Sequence, residues 1–178
     1  MGREIMDVKE AIQKRRSIRK YQKKEVPDEL IKGVLDAARL SPSAHNAQPW
    51  KFFVVADPET KEKLRKNKIF HQDFVYTAPV IIICCADPDA YKELNEWKDH
   101  KKQHYSLIDI SIASSSLVLR AAELGLGTCF IGWMEKEKVK DVLNIPKDYM
   151  TPYAITLGYP DENPKPRSRN SMETIIIH

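Results

Sequence analysis

The stretch Gly125-Leu126-Gly127-Thr128-Cys129-Phe130-Ile131-Gly132, read with the residues ahead of it, decides the fold. Over residues 103–124, Leu107, Ile110, Ser114, Leu117, Val118 and Ala121 recur at helical spacing, and Gly125 is placed to end that helix as its C′ residue. Residues 128–134 then read as a short strand. The order is helix, glycine turn, strand. A dinucleotide fingerprint needs strand, glycine turn, helix, so this G-x-G does not mark a Rossmann nicotinamide site. Gly132 inside a strand instead signals close approach of another group to the backbone.

Working outward, residues 79–86 form a wholly apolar run, the pattern of a strand covered on both faces. Residues 51–56 read as another strand and residues 153–159 as the last one. Asp7 with Glu10 three positions on predicts a capped first helix. Pro27-Asp28-Glu29 opens a second, with proline at N1, and Ser41-Pro42 stops it. Asp57-Pro58 caps a charged helix to about residue 66, and Asp87-Pro88 repeats the signal ahead of a charged stretch, residues 89–102. Residues 136–143 are a short helix. Periodicity alone thus gives an α+β or mixed α/β domain of four or five strands. The small residues 113–116 suggest deep burial or a subunit interface. Beyond Pro160 the chain turns to Pro, Asn, Lys and Arg, then ends in the strand-like run Thr174-Ile175-Ile176-Ile177, an extended tail that must pair somewhere.

A length of 178 residues fits one domain, residues 1–178. Lys+Arg at 29 against Asp+Glu at 25 leaves +4, too small an excess to demand nucleic acid. The longest apolar run, residues 78–86, is under half of the roughly 20 residues a membrane helix needs. The N-terminus is charged from Arg3 and has no secretory h-region. Three cysteines, two of them the neighbours Cys84 and Cys85 that point to opposite strand faces, give no disulfide framework. A reducing, cytoplasmic compartment is the expectation. His100 and His104 have i, i+4 spacing but lie in a polar run without the H-E-x-x-H glutamate, so a solvated helix face is expected and no metal. Cys129, in an apolar strand with no adjacent base, reads as an inert thiol.

Four segments could carry chemistry. Residues 14–24 hold seven basic side chains around Ser17, a set that matches phosphate oxygens and equally suits a solvated helix end. Residues 41–50, stiffened by Pro42 and Pro49, offer Ser43, Asn46 and Gln48 between a helix and a strand; a binding loop and a structural turn both fit. The glycine-rich turn and strand at 125–132 is the third. Pro164-Lys165-Pro166-Arg167-Ser168-Arg169 is a stiff basic segment or a solvated linker.

In this order the segments resemble the nitroreductase family of flavin enzymes over almost the whole chain. The resemblance rests on Arg15-Arg16-Ser17-Ile18-Arg19, on Ser41-Pro42-Ser43 with Asn46, Gln48, Pro49 and Trp50, and on Ala78-Pro79 before an apolar strand. Gly125-Leu126-Gly127-Thr128-Cys129 with Ile131-Gly132, and the late basic Pro-Arg segment, complete it. It implies a three-layer α/β/α sandwich of the α+β class, with a mixed, mostly antiparallel central sheet and a tail, residues 161–178, that crosses to a partner subunit. It also implies bound FMN, NAD(P)H as donor, a homodimer, and ping-pong reduction of a small electron-poor acceptor such as a nitroaromatic or quinone. Neither nucleic acid nor membrane is implied as a partner.

By the same resemblance Arg15, Arg16, Ser17 and Arg19 match the segment that holds the FMN phosphate and ribityl chain. Pro42, Ser43, Ala44 and Asn46 match the loop that reaches the other subunit's flavin. Ile131 and Gly132 match the strand along the flavin near N5, and Gln72 stands near a family contact to the pyrimidine. Arg167 and Arg169 match the C-terminal basic pair. The flavin does the redox chemistry, so no protein acid, base or nucleophile is needed, and Arg167 is placed to stabilise its reduced form. Two departures stand out: Gly132 replaces an acidic residue of many larger relatives, and residues 87–104 diverge, so substrate identity does not carry over. The alternatives are a dehalogenating or flavin-consuming enzyme on the same scaffold, or a nucleic-acid-binding module using residues 14–24.

Overall fold

The fold is built around β2, Val80–Ala86, every residue of which is buried. The structure is a computed structural model and describes residues 6–94 and 98–177. Around β2 lie α1 (Val8–Lys14), α2 (Asp28–Arg39), β1 (Trp50–Val55), α3 (Pro58–Lys66), α4 (Asp99–Glu123), β3 (Gly127–Ile131), α5 (Lys136–Leu143), β4 (Met150–Gly158) and α6 (Met172–Ile175). The sheet order is β1-β2-β4-β3, and all three pairings are antiparallel. The parallel element expected of a mixed sheet is a single bridge, Ser17 to Thr128, at the β3 edge.

Alternate residues of β2 feed two cores. Val80, Ile82, Cys84 and Ala86 pack with Val34, Ile110, Leu117 and Ala121 of α2 and α4. Ile81, Ile83 and Cys85 pack on the other face with Leu64 and Val139 of α3 and α5. A sheet covered on both faces is the three-layer sandwich the sequence implied. Cys84 and Cys85 fall on opposite faces, and all three cysteines are free and buried.

Local signals placed most element ends. Asp7 and Glu10 form a reciprocal capping box on α1. Gly125 takes φ 75° after α4, with the Leu126 amide bonded to the Ala121 carbonyl at 2.8 Å and the Gly125 amide to Ala122 at 3.0 Å, a full Schellman motif.

Five expectations are corrected. Pro27 is the N-cap of α2, one position before N1. The charged stretch 89–102 is not one helix: Pro88–Tyr91 is a 3₁₀ turn, and α4 already starts at Asp99 because its first turn is polar and leaves no apolar period. Asn95, Glu96 and Trp97 of that stretch lie outside the described residues. β3 stops at Ile131, so Gly132 lies just past it, and β4 starts at Met150, before the expected position. For the small residues 113–116, by contrast, the deep-burial alternative holds at Ala113 and Ser114, which are fully buried. The tail carries a helical turn, Met172–Ile175, in place of a strand, and among the described residues no strand pairs with it.

The Asp57 carboxylate accepts the Thr60 amide at 2.7 Å, and that bond holds the carboxyl below its ordinary value. A lowered carboxyl stabilises at neutral pH, and the gain is lost as pH falls through the lowered value. Asp57→Ala is therefore expected to cost about 1 kcal/mol in urea unfolding at neutral pH. The gap from the parent protein closes in acid.

Candidate functional site

Residues 15–22 leave α1 and lie along the ends of β3 and β4. The Ile18 amide donates to the Thr128 carbonyl at 2.9 Å, the Gln22 amide to Tyr159 at 2.9 Å, and Asp161 returns a bond to the Lys20 carbonyl at 2.9 Å. Tyr21 donates its hydroxyl to the Ile18 carbonyl at 2.7 Å and shares a hydrogen bond with Thr156 Oγ1, also at 2.7 Å. Burial pushes that phenol well above its ordinary value, so it stays protonated. Glu162 accepts the amides of Arg19 and Lys20. Close approach to β3 depends on Gly127: a Cβ there would sit 2.6 Å from Ile18 Cγ1.

This clamp turns Arg15, Arg16, Ser17 and Arg19 toward the 164–169 segment. Together with Arg167, Arg169 and the side of α1 at Ile12 and Gln13 they line an open pocket of about 740 Å³. That size suits a cofactor or substrate. Arg16 bonds the Gln13 and Arg15 carbonyls, and Arg169 those of Arg167 and Ser168. Among the described residues none of the eight ion pairs uses any of these five arginines. Guanidinium forks without carboxylate partners, beside a serine hydroxyl, are a donor set for a phosphate. Two other cations of the run face elsewhere. Lys14 pairs with Glu10 at 3.2 Å, and the Lys24 ammonium sits 4.0 Å from the Tyr159 ring centroid. The run is split rather than a continuous stripe.

From Thr128 the strand runs to Ile131, about 10 Å at 3.3 Å per residue, and Gly132 follows directly. Ile131 is buried, Gly132 is exposed, and a Cβ on Gly132 would meet nothing within 4 Å. Among the described residues, Ile131 and Trp133 aside, none makes the close approach expected there. Half-buried Gln72 N-caps the 3₁₀ turn Asp73–Thr77, and its neighbour His71 stacks on Trp133. Cys129 lies beside Ser17 and Arg19. Burial raises its thiol, with Arg19 and Ser17 pulling the other way, which fits an inert thiol.

Pro42, Ser43, Ala44 and Asn46 are not part of the arginine pocket. Their loop holds three non-glycine residues at positive φ, His45, Asn46 and Gln48, a costly conformation that needs external support. α4 supplies it. Asp109, 2% exposed, accepts the Ala44 amide at 3.0 Å and the Tyr91 hydroxyl, and Ser41 donates to Ser116 Oγ at 2.7 Å. Ser43 Oγ accepts the Gln48 amide at 3.0 Å. Gly132 and Gln72 likewise stand apart from the arginine pocket.

Sequence reasoning missed Glu162, Asp109 and the role of Gly127. Glu162 acts across 143 residues of chain, and no local pattern announces it. Asp109 carries one faint signal, a charge at a helix position between apolar Ile108 and Ile110.

Residues 12–69 and 66–159 match the model of the nitroreductase family. A Methanothermobacter thermautotrophicus protein with the provisional name NADH dehydrogenase/NAD(P)H nitroreductase is 42% identical over 166 residues, 91% of this chain and 82% of its own. A Thermus thermophilus protein named NADH dehydrogenase is 32% identical, over 97% of this chain and 96% of its own. The solved structure of an Exiguobacterium sibiricum protein in complex with FMN superposes with a TM-score of 0.88 at 23% identity, covering 97% of each chain. The chain belongs to the nitroreductase family.

Two substitutions test the geometry. Gly127→Ala forces Ile18 away from β3; a loss of about 1–3 kcal/mol is expected, with hydrogen-exchange protection lost selectively at the Ile18 amide. Asp109→Ala leaves the Ala44 amide without its acceptor, at a cost of about 1–3 kcal/mol, and exposes the 43–48 loop to limited proteolysis. Asp109→Asn, which keeps an acceptor, is expected to protect that loop.

Proposed function

We propose that this chain is an FMN-dependent NAD(P)H oxidoreductase that reduces nitroaromatics, quinones or similar electron-poor acceptors. The observation that carries the reading is the arginine pocket, assembled from residues 15–19 and 164–169 beside one end of β3, with exposed Gly132 just past the strand's other end. The donor set fits a phosphate, and the open backbone beyond it fits a flat ring.

FMN, when bound, supplies two-electron redox chemistry between nicotinamide donor and acceptor. The chain's residues bind and orient. Arg15, Arg16, Ser17, Arg19 and Arg169 hold the phosphate and ribityl chain, with Glu162 fixing the amides of Arg19 and Lys20. Ile131 and Gly132 lie along the ring, and Gln72 serves its pyrimidine edge. Arg167 presents a cation to that edge and favours negative charge there.

The working unit in this reading is a cytoplasmic homodimer with two shared sites. The 42–46 loop stands outside its own chain's arginine pocket, consistent with service to the neighbour's ring. Leu107, Ile108 and Ile112 leave an apolar face of α4 exposed, and Met172, Ile175 and Ile177 are exposed along the tail. In this reading residues 164–169 serve the arginine pocket they line with residues 12–19. The free run is therefore residues 170–177, with a reach of about 27 Å.

The visible spectrum of the purified protein tests the cofactor: a flavin band is expected, and a colourless protein that takes up no FMN overturns the reading. Arg19→Ala and Arg169→Ala should each weaken FMN binding tenfold to a hundredfold, since a charge-assisted contact contributes about 1.5–3 kcal/mol. Deleting residues from Asn170 onward should lower dimer stability and FMN retention together; sedimentation with absorbance detection reads both.

A further inference from the structure

Trp133 directly follows Gly132 and is 66% exposed, yet it is not loosely held. Its indole stacks on the His71 imidazole, ring centroids 4.8 Å apart and planes 23° from parallel. His71 is fixed in turn by a 2.8 Å hydrogen bond between its Nε2 and Glu135 Oε1. The backbones under this pair are tied together. Phe70 bridges Met134, the Glu135 amide donates to Ile69 at 2.8 Å, and the Tyr76 hydroxyl bonds both the amide and the carbonyl of Phe70 at 2.8 and 3.0 Å. A large indole is thus presented to solvent at a set angle, on a scaffold that ends in the buried Met134.

On the oxidoreductase reading above, we propose that Trp133, backed by His71, is the specificity-determining residue against which a planar, electron-poor aromatic acceptor docks. Indole is an electron-rich ring, and a nitro-substituted ring is its electronic complement; offset stacking of such rings adds to simple burial. The imidazole already shows that this indole accepts a flat ring on its surface. Gly132 is exposed beside it, and among the described residues, its chain neighbours Ile131 and Trp133 aside, none comes within 4 Å of where a Cβ would stand. A second copy of the chain is the poorer occupant. Seating one here would strip water from the His71–Glu135 pair, which is costly, whereas a small ring leaves that rim wet. The apolar faces of α4 and the tail suit a subunit better.

The test uses the FMN-loaded protein with two acceptors, 4-nitroacetophenone, which can stack, and ferricyanide, which cannot. Trp133→Ala should raise KM for 4-nitroacetophenone on the order of tenfold, with kcat nearly kept and ferricyanide turnover unchanged. Trp133→Phe should restore most of the affinity, and His71→Ala should fall between, because the indole loses its backing. A second readout needs no turnover: acetophenone should quench tryptophan emission in the parent protein, and Trp133→Phe should abolish the saturable part. Equal effects on both acceptors, or unchanged KM and quenching, overturn the proposal. So does a change in sedimentation on Trp133→Ala, which makes the residue a subunit contact. If the protein takes up no FMN the oxidoreductase reading fails by itself, and the quenching titration still decides whether Trp133 stacks aromatic rings.

Discussion

Everything in this molecule follows from the need to cover β2 twice. Seven consecutive buried residues leave neither face of the strand to solvent, so helices must pack on both sides and strands must pair on both edges. α2 and α4 answer on one face, α3 and α5 on the other. With those positions taken, β3 can only be an edge strand, and an edge strand has backbone groups to offer. The 17–22 segment uses them at Thr128 and continues along the end of β4. The arginine pocket is the outcome of that pairing, and the absence of a side chain at Gly127 lets it close.

Features set by neighbouring residues were legible in the sequence. The Asp7–Glu10 box, the Asp57 cap and the Gly125 turn each need only a few adjacent residues, and each is found where expected. The apolar run of β2 was legible for the same reason. At β4 the strand was expected from Tyr153 but already includes Pro152, a residue rarely found inside a strand. The ladder shifts register between Cys84 and Ala86, and β3 pairs no further than Ala154, so Pro152 sits where no regular bond is required of it. The polar first turn of α4 hid for the opposite reason, since a solvated turn has no apolar period to read.

The candidate site divided along similar lines. Its basic residues were visible as composition, and the structure draws six of the named residues, Arg15, Arg16, Ser17, Arg19, Arg167 and Arg169, around one pocket. What composition could not tell was which cations of the 14–24 run belong there. That depends on Lys14 meeting Glu10 and Lys24 meeting Tyr159. The supports were invisible because they act across the chain: Glu162 on Arg19, and Asp109 on Ala44. A buried carboxylate that holds a loop leaves no periodic trace.

The distance along the chain between the two halves of the arginine pocket has a consequence for synthesis. Residues 15–19 emerge early, while Glu162 and the 164–169 wall are made roughly 145 residues later. Domains fold as their parts leave the ribosome, so both cores can assemble while half of the cluster is still missing. Through that interval the early arginines have neither the opposing wall nor the carboxylate that orders their backbone. A chain stopped short of residue 162 would hold all four strands and α1 to α5 and lack the opposing wall of the arginine pocket. The arginine pocket is therefore the late-forming part of this fold, closed only after both cores have their residues.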